Sequence, residues 1–191
     1  MGGHETKRRA VFLDRDGVIN QPVVREGRPY PPADVKNFEL YEDVPAGCAR
    51  LDDASFLLIV VTNQPDVARG TQTRAAVEAI HRRMLDALPL IARVEVCWHA
   101  GTAWADPCDC RKPQSGLVLR AAKALNIDLT QSFLIGDRWR DVDCGHAAGC
   151  RTVFIDRNYS EPLKRQPDWR VKSFGEAVEV ILQAADVPAA R

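Results

Sequence analysis

Short apolar runs alternate along the chain with longer stretches in which apolar side chains recur every three or four positions. Most of the runs are apolar at every position, which is typical of strands in a parallel sheet covered on both faces. A sheet of this kind requires a layer of helices on each side. The predicted strands are 10–13, 56–61, 94–96, 133–135 and 152–155.

The stretches between these runs have the periodicity of helices. In the segment 73–88, apolar side chains fall on one helical face, at Ala76, Val77, Ile80, Met84, Leu85 and Leu88. Further helices are predicted at 45–52, where a proline occupies the first turn, and at 114–125, 141–148 and 174–184. The alternation predicts an α/β fold, a three-layer doubly wound parallel sheet in which residues 1–191 form a single domain. Two irregular segments are predicted, a long loop or small flap at 20–38 and a loop at 99–113.

The composition fits one folded domain without a strong overall field. The chain has 191 residues, 46% of them apolar, and its 26 basic and 26 acidic side chains give zero net charge. That balance argues against a nucleic-acid coat or a polybasic membrane binder, because both need a large positive field. No apolar run is long enough to span a bilayer, and residues 1–9 lack the apolar region of a signal peptide. We therefore expect a cytoplasmic monomer that binds neither nucleic acid nor membranes.

Two acidic residues follow the first predicted strand. Asp14 and Asp16 stand in the sequence Asp-Arg-Asp-Gly, at the strand end where open parallel sheets bind ligands. Neighbouring carboxylates repel each other unless a cation neutralises them, and oxygen ligands suit Mg²⁺. Asp14 can then attack phosphorus as a nucleophile, while Asp16 protonates the leaving oxygen and later accepts a proton from water. Taken alone, the segment can also be a polar turn.

Two further loops carry groups that suit a phosphoryl ligand. Thr62 and Asn63 follow the second predicted strand, where the Thr62 hydroxyl can donate to a phosphoryl oxygen or cap the next turn. Lys112 lies just ahead of a predicted helix and can offset the charge of a transferring phosphoryl group. The alternative for Arg111 and Lys112 is a solvated basic pair.

A fourth loop adds more acidic groups. Asp137 and Asp141 follow the predicted strand 133–135. Asp137 can hold the metal, while Asp141 can support it or cap the following helix. In order and spacing, the four loops resemble the motifs of the haloacid dehalogenase superfamily of phosphohydrolases, and the resemblance extends from about residue 11 to about residue 156.

This resemblance implies a set of roles. Mg²⁺ would be bound by Asp14, the backbone carbonyl of Asp16, and Asp137, while Thr62 and Lys112 would hold the phosphoryl group during transfer. The intervals between the motifs are already filled by helix, strand and loop, so a large cap domain is not expected.

Four potential metal ligands lie within fourteen residues, in the pattern C-x-H-x8-C-x-C. The three thiolates and one imidazole of Cys97, His99, Cys108 and Cys110 make a closed tetrahedral set for a structural Zn²⁺. The surrounding loop has few apolar residues, so a metal can supply the missing folding energy and fix the adjoining Arg111. The alternatives are free buried cysteines or a redox pair of Cys108 and Cys110.

The segments 14–20, 62–70 and 108–113 also resemble the D-glycero-D-manno-heptose-1,7-bisphosphate 7-phosphatases and their relatives, the histidinol-phosphate phosphatases. The resemblance implies a small phosphorylated sugar as substrate, hydrolysis of its 7-phosphate, and binding of the phosphorylated sugar by Arg111. It implies that other motif residues also bind substrate, namely Arg15, Asn20, Asn63, Gln64 and Arg138.

The chain departs from that family in two places. Pro65 and Asp66 stand where the family often has Ser-Gly, and Arg138 stands where Lys is usual. Two alternative functions stay open, a histidinol-phosphate phosphatase and a non-catalytic zinc-stabilised binding module. A polynucleotide 3′-phosphatase is disfavoured because no basic stripe follows a nucleic-acid strand.

Overall fold

The computed structural model describes residues 6–185; residues 1–5 and 186–191, which belong to the expected single domain, lie outside the described part. The strands are β1 Ala10–Leu13, β2 Val23–Arg25, β3 Arg28–Tyr30, β4 Leu57–Asn63, β5 Ile91–Cys97, β6 Phe133–Gly136, β7 Arg151–Ile155 and β8 Trp169–Val171. The helices are α1 Val44–Asp53, α2 Arg74–Ala87, α3 Gly116–Leu125, α4 Trp139–Ala148 and α5 Phe174–Ala185.

Six strands form one parallel sheet in the order β5-β4-β1-β6-β7-β8. The strand β1 lies at its centre, where Leu13 pairs with both Val60 of β4 and Ile135 of β6. This register brings the carboxyl ends of three strands together, so the loops that follow them meet at one edge of the sheet.

Each face of the sheet is covered by helices, which confirms the predicted three-layer doubly wound α/β fold. Successive side chains of β1 point to opposite faces. Val11 and Leu13 pack in a core with residues of α1, α2 and α5, while Ala10 and Phe12 pack in a second core with residues of α3 and α4. Both cores are closed to solvent, which holds the loops of the strand ends on a rigid support.

Two features differ from the sequence prediction. The predicted loop or flap at 20–38 contains an antiparallel hairpin of β2 and β3, and β8 forms a sixth strand that was not predicted. All three strands, β2, β3 and β8, have three residues and include exposed positions, so none carries the apolar run that marks a buried strand. The hairpin is the element that lies over the sheet edge, and the described residues include no large cap domain. None of the described helices has the length and apolarity needed to cross a membrane.

Candidate active site and metal centres

The side chain of Lys112 lies at the centre of the strand-end loops. Its ammonium is 2.8 Å from Oδ1 of Asp14 and 2.7 Å from Oδ1 of Asp141, and it donates to the carbonyl of Val61 at 2.8 Å. Burial alone would lower the pKa of Lys112, but the two carboxylates outweigh it and raise the pKa above its ordinary value. Lys112 is therefore a charged group held between two acids, and not the solvated residue of the alternative interpretation.

Asp137 lies beside this group, near the charge of Arg138 and the hydroxyl of Tyr159. One oxygen each of Asp14, Asp137 and Asp141 lies within 4.8 Å of the others, and neither buried carboxylate oxygen of Asp137 makes a hydrogen bond of ordinary geometry. Burial raises the pKa of Asp137 well above its ordinary value, and the charges of Asp14 and Asp141 raise it further. Unpaired buried oxygens at the mouth of a parallel sheet fit a hard divalent cation such as Mg²⁺.

The first loop is shaped to admit Asp137. Gly17 has φ +92°, and a Cβ atom at this position would overlap Oδ2 of Asp137. Burial raises the pKa of Asp14 to about 6, and although Lys112 opposes this shift, Asp141 and Asp16 add to it. The acids outnumber the single lysine among them, which is the electrostatic reason why the residues fit a metal. The side chain of Asp16 is not part of the carboxylate group; its predicted contribution was the backbone carbonyl.

The Asp16 side chain is held by its neighbours. Its carboxylate accepts from Arg15 at 2.8 to 3.1 Å, from Asn20 at 3.1 Å and from Gln64 at 3.0 Å. The three donors are fully buried. Substrate binding by Arg15, Asn20 and Gln64 stays a prediction, and in this structure their side chains bond to the Asp16 carboxylate.

The loop after β4 supports the lysine. The amide of Asn63 bonds to the backbone of Lys112 in both directions, accepting from its N–H at 3.0 Å and donating to its carbonyl at 3.1 Å. Thr62 is buried and its Oγ1 accepts from Gln64 at 2.9 Å, which leaves the hydroxyl proton to donate elsewhere. Substrate contact by these two residues stays a prediction, but Asn63 has a clear part in placing Lys112.

The predicted zinc ligands lie together. The Sγ atoms of Cys97 and Cys108 are 3.7 Å apart, and Nδ1 of His99 lies 3.6 Å from Cys97 Sγ and 3.3 Å from Cys110 Sγ. A tetrahedral zinc with ordinary bond lengths has ligand edges of about 3.8 Å between sulfurs and about 3.6 Å between sulfur and nitrogen. The three measured distances agree with the edges of such a tetrahedron. The sulfurs are too far apart for a disulfide, which needs them about 2 Å apart.

The zinc loop also contacts the site. Arg111 donates to the carbonyl of His99 at 3.3 Å, and a Cβ atom at Gly101, which has φ +100°, would lie only 3.0 Å from Nε of Arg111. For Cys108, burial raises the thiol pKa, but the backbone amides of Arg111 and Cys110 outweigh it and lower the pKa below its ordinary value. That direction favours the thiolate, the form that binds zinc, at Cys108 alone, because burial raises the pKa of the Cys97 and Cys110 thiols.

A cavity of about 340 Å³ opens above Asp14, beneath the β2–β3 hairpin. Its walls carry four carboxylates, Asp14, Asp16, Asp66 and Glu161, and six basic side chains, Arg28, Arg69, Arg111, Lys112, Arg138 and Arg140. The sequence analysis missed Arg69 and Arg140 as site residues. No local pattern marks them, because only the fold brings them to the same wall.

The arginines of the cavity differ in how they are paired. Arg138 forms an ion pair with Glu161 on the rim. Burial lowers the pKa of Arg111, and the nearby charges of Arg140 and Arg69 lower it further. Arg69 pairs with Asp66 at 3.5 Å and Arg140 with Glu161 at 3.7 Å, but the buried Nε of each arginine has no hydrogen-bond partner. A wall of like charges with unused donors is suited to a bound anion.

Comparisons with known proteins agree with this chemistry. The model of a hydrolase family described as HAD-hydrolase-like matches residues 109–177. The D-glycero-beta-D-manno-heptose-1,7-bisphosphate 7-phosphatase of Rhodopseudomonas palustris is 38% identical over 151 residues, 75% of this chain and 81% of that protein. The enzyme of the same name from Escherichia coli strain K12 is 32% identical over 184 residues, 90% of this chain and 93% of that protein.

A solved structure is similar over nearly the whole length. The D,D-heptose 1,7-bisphosphate phosphatase from B. bronchiseptica, complexed with magnesium and phosphate, superposes with a TM-score of 0.77 and is 26% identical, covering 93% of this chain and 99% of that one. The fold, the strand-end acids and the long alignments lead to one assignment. The chain belongs to the D-glycero-β-D-manno-heptose-1,7-bisphosphate 7-phosphatase family of HAD-like hydrolases.

Proposed function

We propose that the protein hydrolyses the 7-phosphate of D-glycero-β-D-manno-heptose 1,7-bisphosphate through a phosphorylated Asp14. The carboxylate of Asp14 attacks phosphorus, and the bond from phosphorus to the sugar oxygen breaks. Asp16 gives its proton to that oxygen, then takes a proton from the water that attacks the aspartyl phosphate. Inorganic phosphate leaves, and Asp14 is restored with both oxygens intact.

The observation that carries this proposal is the charge of the cavity. Asp14 lies at its base beside the buried Lys112, and basic side chains outnumber acids along its walls. A substrate with two phosphates can form ion pairs with these basic side chains at both phosphates. A guanidinium group suits this role because it can donate two hydrogen bonds to one phosphate. The cavity is less suited to histidinol phosphate, which carries an ammonium group and only one phosphate.

Asp14, Asp137 and the backbone carbonyl of Asp16 are the residues that would hold Mg²⁺. When bound, the ion neutralises the acids and the phosphoryl oxygens, so that an anionic nucleophile can approach an anionic substrate. Lys112 also offsets charge on the phosphoryl group, and the Thr62 hydroxyl donates to it. Arg111 binds the second phosphate, and Arg138 contributes at the rim where it meets Glu161.

Zinc is proposed as a structural cofactor bound by Cys97, His99, Cys108 and Cys110. All four positions of the tetrahedron are filled by protein atoms, so there is none for a catalytic water. The ion holds the loop whose carbonyl at His99 accepts from Arg111. We further propose that residues 1–191 act as a single domain and that the protein is a monomer.

A panel of phosphate esters tests the function. With Mg²⁺ present, we expect the β-anomer of the heptose bisphosphate to give the highest kcat/KM, ahead of the α-anomer and histidinol phosphate. Asp14→Asn keeps the shape of the side chain but removes the nucleophile, so it should keep the fold and lose the activity. A higher kcat/KM for histidinol phosphate would overturn the substrate, and equal activity of Asp14→Asn would overturn the mechanism.

A further inference from the structure

We propose that His81 positions the acid–base group Asp16, acting through the buried guanidinium of Arg15. The inference rests on the proposed function in one respect, that Asp16 transfers the protons. His81 lies on α2, outside the strand-end motifs, and no other part of the mechanism uses it. Its role is to orient the reacting carboxylate without touching the substrate.

Arg15 binds the Asp16 carboxylate through the Nε and Nη2 edge of its guanidinium. Nε donates to Oδ1 at 3.1 Å, and Nη2 donates to Oδ1 at 3.0 Å and to Oδ2 at 2.8 Å. The side chain of Arg15 is fully buried, whereas that of Asp16 is 17% exposed and lines the cavity above Asp14. The guanidinium therefore sets the plane in which the Asp16 carboxylate faces the cavity.

His81 holds the other side of the same guanidinium. Its Nε2 lies 3.0 Å from Nη1 of Arg15, and both residues are buried. Arginine has donors only, so Nε2 must present its lone pair, and the ring proton must be on Nδ1. Burial and the charge of Arg15 lower the pKa of His81 to about 4, in agreement with a neutral acceptor.

This contact decides how freely Arg15 can turn. A planar guanidinium held only at Asp16 can rotate about its last bonds, but one held at both sides cannot. Without His81, an N–H of Nη1 would be buried and unpaired, which favours a different orientation of the whole group. Asn20 and Gln64 each donate one further hydrogen bond to Asp16. A single hydrogen bond cannot replace the bidentate contact of Arg15.

Two substitutions separate the hydrogen bond from the packing. His81→Leu fills the space but offers no acceptor, whereas His81→Gln places an amide oxygen near the position of Nε2. Arg82→Ala, at an exposed position of the same helix, is the matched control. Each variant is assayed on the heptose bisphosphate, whose alkoxide leaving group needs a proton, and on p-nitrophenyl phosphate, whose phenolate leaving group does not.

The comparison uses kcat/KM, which covers the steps up to departure of the leaving group and leaves out the later attack of water on the aspartyl phosphate. We expect His81→Leu to lower kcat/KM for the heptose bisphosphate by about tenfold or more, a fraction of what a general acid contributes. Its kcat/KM for p-nitrophenyl phosphate should change less than about twofold, because that leaving group needs no proton. His81→Gln should recover most of the loss, and Arg82→Ala should match the wild type on both substrates. An equal fall on both substrates, or no recovery with glutamine, would overturn the proposal in favour of a merely structural role.

A second measurement does not depend on the substrate. In nitrogen NMR of the intact protein, the His81 ring should be neutral with its proton on Nδ1, and His81→Leu should change the signal of the Arg15 side chain. A proton on Nε2 would contradict the proposal even if no sugar phosphate were hydrolysed. If the heptose bisphosphate alone is inert, the proposed function fails, and the leaving-group comparison proceeds with another alkyl phosphate from the panel.

Discussion

At the scale of single residues, the site is governed by buried charge. The site groups three acids, Asp14, Asp137 and Asp141, near one basic side chain, Lys112. The pKa values of Asp14, Asp137 and Lys112 are all raised. Burial and the neighbouring carboxylates raise the pKa of the two acids. Although burial would lower the pKa of Lys112, the carboxylates around it raise it. A divalent cation held by these acids would balance their charge and would leave positive charge for a phosphoryl group.

Removing the lysine should therefore be costly. Lys112→Met leaves Asp14 and Asp141 buried without their partner, and breaking a buried pair of this kind costs about 3–5 kcal/mol of stability. We expect a lower free energy of unfolding in urea and loss of Mg²⁺-dependent activity. Lys123→Met, at an exposed position of α3, is the control. A variant at Lys112 as stable as the control would contradict the ion-pair interpretation.

His81 should make stability depend on acid pH. Burial, followed by the charge of Arg15, lowers its pKa from 6.5 to about 4, so below pH 6.5 the unfolded chain binds a proton that the folded protein does not. Stability from this group is complete above pH 6.5 and is lost as pH falls towards 4, by about 2–3 kcal/mol. Urea unfolding of wild type and His81→Gln from pH 7 to pH 4.5 measures it; parallel curves would rule it out.

The sequence could identify the residues of the motifs but not the direction of every side chain. Asp14 and Asp137 were found because a strand end followed by a charged group is a local signal, and Lys112 because it lies just ahead of a predicted helix in a loop that resembles a known motif. Arg15 and Gln64 carry the same signal, yet they face Asp16 and the interior. Which way a polar group points at a strand end depends on acceptors brought by distant elements, such as His81, and those are not visible locally.

At the scale of elements, the strands and helices followed from apolar periodicity because both sheet faces are buried. The β2–β3 hairpin and β8 did not, since short exposed strands carry no such pattern. The two irregular segments nevertheless supply the walls of the cavity, through Arg28 and Tyr30 of the hairpin and Arg111 after the zinc loop. The segments that line the cavity are thus the part of this fold that apolar periodicity predicts least well.

The turn after β1 makes a prediction with a matched control. Gly17→Ala would place a Cβ on Oδ2 of Asp137, whereas Gly70→Ala has a similar positive φ, +74°, with no atom within 4 Å of the new Cβ. Both variants should lose about 1–2 kcal/mol from the left-handed backbone. Only Gly17→Ala should also weaken Mg²⁺ binding in a calorimetric titration. Equal Mg²⁺ affinity in both variants would show that Asp137 does not hold the ion.

The zinc loop makes a second prediction at this scale. Cys108→Ser should reduce the zinc content found by metal analysis and speed amide exchange across 97–111. The KM for the heptose bisphosphate should rise more than kcat falls, because Arg111 is held by this loop and Asp14 is not. Cys150→Ser, at a buried cysteine that is not one of the four potential ligands, should keep its zinc. Full activity and unchanged exchange in a zinc-free protein would contradict this role.

At the scale of the whole molecule, charge is balanced overall and concentrated locally. The chain has zero net charge, yet its cavity is lined by more basic than acidic side chains. Composition argues against large anionic partners but could not reveal this pocket, because arginines that are distant in sequence meet only after folding. The alignment with a heptose bisphosphate phosphatase over 93% of the chain agrees with a site built by the entire fold.

The central claim is that Asp14 becomes phosphorylated during turnover. Rapid acid quench of the enzyme with Mg²⁺ and the β-heptose bisphosphate, followed by mass spectrometry of its peptides, tests this directly. We predict one phosphoryl group on the peptide that contains Asp14, formed within the first turnover and absent from Asp14→Asn. Phosphate release at the full rate with Asp14 unmodified at every quench time would contradict the account.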